Sequence, residues 1–385
     1  MLTIQKHKCA ALYSAILGLG LLLAPVHATY AAESDRAGAV IFVYQRIGDD
    51  SLPQGSISLD QFKEHIKELK TGGYNVLPLP KIIDALKGGD TLPQKTVGIT
   101  FEGAYTTTLS AAVPLLDEAE IPYTVFYASD MAEGGSPSHM TWKQLKDLKK
   151  DKFATLGILP SAYAHMVGQA DAANAALINK AIAKYKEQFE EDPQFFAYPY
   201  GEYSAALKKQ LATYPFRAAF GQQSGVVHAK SDFMALPRFT MTENYGDLER
   251  FQLTASALPL PVSDIIPDDT IIKVNPPVIG FTVAPEISNL SKLSCFISGV
   301  GKAPLDKLAG GRVEIRLKDP LDDRRTRVNC TIPDDTIIPG QGQSWRWFGM
   351  LLIAPDIDED ANSAPPAQQD QNAGQDSKDS ATGDD

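Results

Sequence analysis

A membrane span is what this chain most plainly lacks. Its longest apolar run, Leu12 to about Val26, is shorter than the roughly 20 residues a helix needs to cross a bilayer, and no later segment is apolar enough. A basic stripe is missing too. The 36 Lys and Arg stand against 47 Asp and Glu, a net charge of -11, which excludes the electrostatic footprint of a nucleic-acid binder. Histidines are few, six in all, and no two of them are spaced i, i+4. Cysteines number three: Cys9, Cys295 and Cys330. What remains is the balance of an ordinary globular protein, 44% hydrophobic and 22% charged. The 385 residues suit one large domain plus a small one, or two of medium size.

The ends differ in charge from the body. Lys6 and Lys8 precede the apolar run, and small residues follow at Ala28, Ala31 and Ala32, the pattern of a cleavable export signal over residues 1–31. The mature protein is then expected outside the cytoplasm, periplasmic or secreted, with no transmembrane anchor. From Asp356 onward nine carboxylate side chains face one lysine, so residues 356–385 read as an acidic, disordered tail. Cys9 leaves with the signal. Cys295 and Cys330 remain as a pair that an oxidising compartment would join, the alternative being two buried thiols.

Between the ends, two patterns succeed one another. Residues 39–255 alternate short β-branched runs with amphipathic stretches. Ala39–Tyr44 suits a strand buried on both faces, and Ser58 with Gln61 opens a helix carrying Phe62, Ile66 and Leu69 on one face. Strands are predicted at Tyr74–Leu79, Thr96–Phe101, Tyr123–Tyr127 and Phe195–Tyr198. Helices are predicted at Lys81–Leu86, Leu109–Ala119 and about Ala173–Glu190. Repeated β-α units point to a parallel α/β barrel or a doubly wound sheet. Over residues 265–355 helical periodicity vanishes and short β runs appear at Val278–Val283, Leu293–Ile297, Arg312–Leu317, Arg327–Ile332 and Trp345–Ile353. This second pattern predicts a small β-sandwich linked by Cys295 and Cys330. The heptapeptide Ile-Pro-Asp-Asp-Thr-Ile-Ile occurs twice, at Ile266 and Ile332, as one turn-then-strand device reused.

Five strand-end segments stand in order. They are Val43-Tyr44-Gln45-Arg46, Gly98-Ile99-Thr100-Phe101-Glu102-Gly103, Leu156 to His165 through Leu159 and Tyr163, Tyr198-Pro199-Tyr200-Gly201, and Pro237-Arg238. In this order they resemble the signature segments of the polysaccharide deacetylase (NodB-like, carbohydrate esterase 4-type) family. The resemblance implies an α/β fold, a distorted (β/α)7-type barrel, over about residues 39–251. In that family the third strand ends T-F-D-D-G, its first Asp the general base and its second a metal ligand. Two histidines spaced H-x-x-x-H complete a site for a divalent metal such as Zn, which polarises the acetamide and lowers the pKa of the attacking water.

Carried over residue by residue, the base position is Glu102, and the three ligand positions are Gly103, Leu159 and Tyr163. None of these three offers a good ligand, so no metal or other cofactor is expected. Gln45 stands where the family's first strand has histidine. The sugar-facing frame persists at Tyr198, Tyr200 and Arg238, and with Gln45, Tyr163 and His165 these are the candidate substrate-binding residues. Blander readings stay open: Glu102 as a solvated strand-end carboxylate, Arg238 in an internal ion pair, and the Tyr198–Gly201 turn as a loop stabiliser. Trp345 and Trp347 would share one face of a strand, as a sugar-stacking pair or as core packing. Three functions follow. The first is an exported, catalytically impaired relative that binds a polysaccharide or N-acetylated oligosaccharide, alone or with a catalytic or envelope protein partner. The second is an active hydrolase of carbon-nitrogen bonds, removing acetyl groups from N-acetylglucosamine polymers. The third is an envelope assembly scaffold.

Overall fold

The computed structural model of the protein describes residues 36–49, 51–335 and 342–357. The expected export segment and nearly all of the acidic tail lie outside the described residues. Nine strands share one sheet: β1 (Ala39–Tyr44), β2 (Asn75–Val76), β3 (Thr96–Glu102), β4 (Tyr123–Tyr127), β5 (Ala154–Ile158), β6 (Phe195–Ala197), β7 (Ala218–Phe220), β8 (Val226–Val227) and β9 (Phe239–Thr240). The order is β8-β1-β3-β4-β5-β6-β7, with β9 also on β1 and β2 on β3. All pairings are parallel except β8 with β1. The sheet curls into the expected distorted barrel. Leu236 bridges Phe220 at the end of β7, and three residues later Phe239 pairs with Phe42 of β1. The segment Leu236–Thr240 therefore spans the seam.

Strand alternation sorts the side chains into two cores. Phe42, Phe101, Val125, Leu156 and Phe196 face outward, under helices α1 (Leu59–Thr71), α3 (Val113–Ala119) and α4 (Asp171–Phe189). Ile41, Phe126, Leu159, Phe195, Ala218 and Phe220 face inward, and α2 (Leu79–Gly88) adds Ile82, Ile83 and Leu86 to this inner core. The inner layer mixes large rings with residues that have no side chain to spare. A Cβ on Gly157 would lie 2.5 Å from the Phe126 ring. On β3 this alternation puts Phe101 outside and Glu102 inside, at the carboxyl end where such barrels hold their sites.

Some elements are shorter or longer than the sequence pattern predicts. The strand expected at Tyr74–Leu79 contracts to Asn75–Val76, and the following helix starts at Leu79 rather than Lys81. Pro78 and Pro80 lack the N–H that a longer strand would need, and both suit a helix start. The helix expected from Leu109 begins as a π turn, Thr108–Ala112, because Pro114 has no N–H to close the ordinary bond there.

Two further sheets form the β-sandwich. One runs β10-β18-β17-β13-β14 and the other β11-β12-β16-β15, with β10 (Leu258–Pro259), β11 (Val262–Ile266), β12 (Ile279–Val283), β13 (Ser294–Ile297), β14 (Gly301–Lys302), β15 (Leu305–Lys307), β16 (Arg312–Ile315), β17 (Arg325–Pro333) and β18 (Trp345–Ile353). The sandwich thus begins before residue 265, since Leu258 already pairs with Arg346. Cys295 and Cys330 face each other on β13 and β17 and form the disulfide within the sandwich core. The two heptapeptides differ in use: the copy at Ile266 ends β11, and the copy at Ile332 begins inside β17.

One strand joins both bodies. On β18, Met350 and Leu352 enter the sandwich core while Leu351 and Ile353 enter the outer core of the barrel. On that same barrel-facing side Trp347 meets Phe239 edge-on, with ring centroids 5.1 Å apart. Gly349 lets the backbones touch there, since a Cβ would lie 2.1 Å from the Ser224 carbonyl oxygen. Gly349→Val is expected to cost about 1–3 kcal/mol through this overlap, seen as a lowered denaturation midpoint and faster proteolysis between the two bodies. An unchanged midpoint would contradict the close docking.

Three histidines are stored neutral. His65 is fully buried, stacks on Phe251 at 4.0 Å, accepts from the Tyr44 hydroxyl at Nδ1 and donates from Nε2 to the Gly246 carbonyl. Burial lowers its pKa to about 4, and burial does the same to His139 and His228. Their folded pKa values lie below the unfolded one, so between about pH 6.5 and 4 the unfolded chain takes up protons that the native one refuses. Stability should hold above pH 7 and fall through that window by about 1.4 kcal/mol per pH unit per such proton. Denaturant midpoints measured from pH 8 to 4.5 check this; a flat profile refutes it.

Candidate functional site

Glu102 ends β3 with its side chain pointed into the mouth of the barrel and 0% exposed. The solvated-carboxylate reading is therefore corrected. Three donors hold the carboxylate. Arg238 Nη2 reaches Oε2 at 2.5 Å, and the Tyr163 hydroxyl and Gln222 Nε2 each reach Oε1 at 3.0 Å. Arg238 is itself fully buried and belongs to the segment that spans the seam. Its Nε donates to the Gly221 carbonyl at 2.8 Å, and its guanidinium lies 5.5 Å from the Phe126 ring and 5.9 Å from Phe220. The internal ion pair is thus the observed role of Arg238, and its partner is the residue at the base position.

Tyr163 links this centre to the next layer. It accepts from the Tyr200 backbone N–H at 3.3 Å, and the two rings meet edge-on at 4.7 Å. Burial, then the Glu102 charge, raises the Tyr163 phenol far above its ordinary value, so it stays a neutral donor. Tyr200 has φ +58°, an uncommon conformation for a residue with a side chain. His165 lies behind it, stacked on the ring at 4.0 Å, and donates from Nδ1 to Glu202 at 2.9 Å. Glu202 also receives Arg324 at 3.2 Å, with Arg325 at 3.8 Å, both from the sandwich. Burial alone would raise the Glu202 pKa; hydrogen bonds from His165 and Arg324 outweigh it and hold the carboxyl below its usual value.

The sequence candidates divide accordingly. Glu102, Tyr163 and Arg238 form one bonded centre, Tyr200 adjoins it, and His165 stands one layer out. Gln45, Tyr163 and Tyr200 line an open cleft of about 770 Å³ between the barrel mouth and the sandwich. Tyr198 is a correction: it is fully buried, sits in the outer core, and gives its hydroxyl to the Met234 carbonyl at 2.9 Å, so it faces no ligand. Trp347 is committed to Phe239 and donates to Asn329 at 3.3 Å, and neither it nor Trp345 belongs to the cleft lining. Sequence reasoning missed Gln222, Tyr105 and Glu202. Glu202 directly follows the Tyr-Pro-Tyr-Gly turn and could have been found there. Nothing around Gln222 marks it, because its role depends on the curl of the sheet, which brings the end of β7 across the mouth from β3.

The residues present do not fit the divalent metal that the resemblance implies. Gly103 stands at φ +104°, and a Cβ there would lie 2.5 Å from Cε2 of Tyr105, so that position has neither a donor nor room for one. Leu159 is sealed in the inner core. Tyr163 gives its hydroxyl hydrogen to Glu102. Among the described residues no three His, Cys, Asp or Glu side chains gather as a metal-holding group.

Comparison with known proteins places this barrel. Residues 89–219 match the family model described as polysaccharide deacetylase. The chain is 21% identical over 250 residues to the poly-beta-1,6-N-acetyl-D-glucosamine N-deacetylases of Escherichia coli K12 and O157:H7. That match covers 54% of this chain and 37% of each relative, so little more than a third of their length is spanned. Among solved structures, the deacetylase PplD from Streptococcus pyogenes, in complex with acetate, aligns with TM-score 0.53 and 19% identity over 57% of this chain and 99% of that one. IcaB from Ammonifex degensii aligns with TM-score 0.52 and 21% identity over 57% and 98%. At these identities the likeness to the solved structures is one of fold.

A charge buried beside its partner is costly to orphan. Arg238→Met alone is expected to lose about 3–5 kcal/mol of stability. The pair Glu102→Gln with Arg238→Met should recover much of that, giving a coupling of at least about 2 kcal/mol in a double-mutant cycle. Denaturant unfolding of the four proteins decides it; simple additivity would remove the ion pair from the account.

Proposed function

Because its barrel belongs to the polysaccharide deacetylase family, we propose that this chain binds an N-acetylated glycan at the barrel mouth and does not hydrolyse it. The observation that carries this reading is the enclosure of Glu102. A general base needs a lone pair aimed at water, and here the side chain is closed off from solvent, with Oε1 holding Tyr163 and Gln222 and Oε2 held by Arg238. The positions that would polarise an acetamide carry Gly103, Leu159 and Tyr163, so neither half of the hydrolytic apparatus is present. The cleft beside Glu102 is kept open and is lined by the rings of Tyr105, Tyr163, Tyr200 and Tyr245, which suit the apolar faces of sugar rings. The N-terminal charge and apolar pattern, with the Cys295–Cys330 disulfide, support action outside the cytoplasm.

Acetate release from N-acetylglucosamine oligomers should stay at background with and without added Zn, while calorimetry with the same oligomers shows binding. Tyr200→Ala should weaken that binding about tenfold, or about 1.4 kcal/mol. Turnover that Glu102→Gln abolishes would establish the hydrolase instead. Neither binding nor turnover across a glycan panel would leave the envelope scaffold.

A further inference from the structure

The cleft has a charge that a neutral sugar does not call for. Arg46, Arg250, Arg325 and Arg327 line it, and among the described residues no carboxylate side chain does. Arg46 is matched by Asp49 at 3.0 Å. Arg325 is engaged as well, with Glu202 at 3.8 Å, and its guanidinium lies 5.1 Å from the centre of the Tyr200 ring. Arg250 and Arg327 are in no ion pair among the described residues. Arg250 spends one nitrogen on the Tyr245 carbonyl at 2.7 Å. Arg327 meets no carboxylate within ion-pair distance among the described residues, and burial with the like charges of Arg325 and Arg250 pulls its pKa down to about 10. Cations gathered in a partly desolvated cleft repel one another unless an anion enters.

Resting on the glycan-binding reading above, we infer that the cleft takes an acidic glycan, whose anionic groups are received by Arg250 and Arg327 while its sugar rings lie against Tyr245. Arginine's planar fork pairs two-to-two with a carboxylate or phosphate, so either anion fits. The strands place these groups together: Arg325 and Arg327 alternate onto one face of β17, and Arg250 comes from the helix following β9 on the barrel side. The anion would therefore bridge the two bodies.

The test uses the intact chain and length-matched probes. These are a neutral N-acetylglucosamine oligomer, an alternating glucuronate–N-acetylglucosamine oligomer, a sugar-phosphate oligomer, and polyglutamate as an anion without sugar. At low salt at least one acidic glycan should bind tenfold or more tighter than the neutral oligomer, with affinity falling as salt rises, and the two acidic probes distinguish carboxylate from phosphate. Arg327→Met should remove most of that advantage, bringing the ratio of acidic to neutral affinity towards one. It should also leave thermal stability equal or higher, since it relieves like-charge repulsion; a merely structural arginine would lower it. Equal affinity for neutral and acidic glycans, or an acidic preference indifferent to Arg327→Met, overturns the inference and leaves glycan binding standing. Polyglutamate binding as tightly as the acidic glycans overturns it in favour of an acidic protein partner. No binding to any sugar overturns both readings.

Discussion

The buried ion pair between Glu102 and Arg238 is the constraint on which the barrel mouth depends. Both side chains are removed from water, and in a low-dielectric interior each is tolerable only because the other is there. Arg238 reaches Glu102 from the segment that spans the seam between β7 and β1, so the same contact that neutralises the carboxylate also ties the barrel shut. Phe126 and Phe220 form the floor beneath the guanidinium, and Tyr163 and Gln222 complete the carboxylate's shell. The one charge set against the Glu102 carboxylate within this shell is thus the Arg238 guanidinium.

Much of this was legible in the sequence, though unevenly. The apolar runs at Ala39–Tyr44 and Thr96–Phe101, the Ser58–Gln61 capping box and the long helix ending near Phe189 all depend on near-neighbour chemistry, and they appear as expected, the second strand running one residue further to Glu102. The resemblance to the deacetylase segments also placed Glu102, Tyr163 and Arg238 among the site candidates. What it could not supply was their mutual bonding, because residues 102, 163, 222 and 238 meet only through strand order. Tyr198 shows the opposite failure. It sits in a motif that faces ligand, yet its parity on the strand continuing from β6 turns it outward into the core beside Phe196. For the tryptophans the sequence left sugar stacking and core packing open, and Trp347 takes the packing alternative, edge-on against Phe239.

The sandwich is more than an appendage. β18 divides its alternate residues between two hydrophobic cores, so neither body can shift without disturbing the other. β17, its neighbour, carries the arginines that cross to Glu202 and line the cleft. The cleft wall is thereby divided between the two bodies, with Arg46 and Arg250 on the barrel and Arg325 and Arg327 on the sandwich, and the β18 contact sets the distance between them.

Gly103 limits what this position can become. An aspartate introduced there would have to hold a φ of +104°, which residues with side chains rarely adopt, and its Cβ would meet the ring of Tyr105, which lies 4.1 Å from the Arg46 guanidinium. A single exchange would therefore disturb the wall of the cleft, and with Leu159 and Tyr163 in place it would still leave the new carboxylate without companions for an ion. Grafting a metal onto this barrel is a problem of remaking its backbone before its ligands.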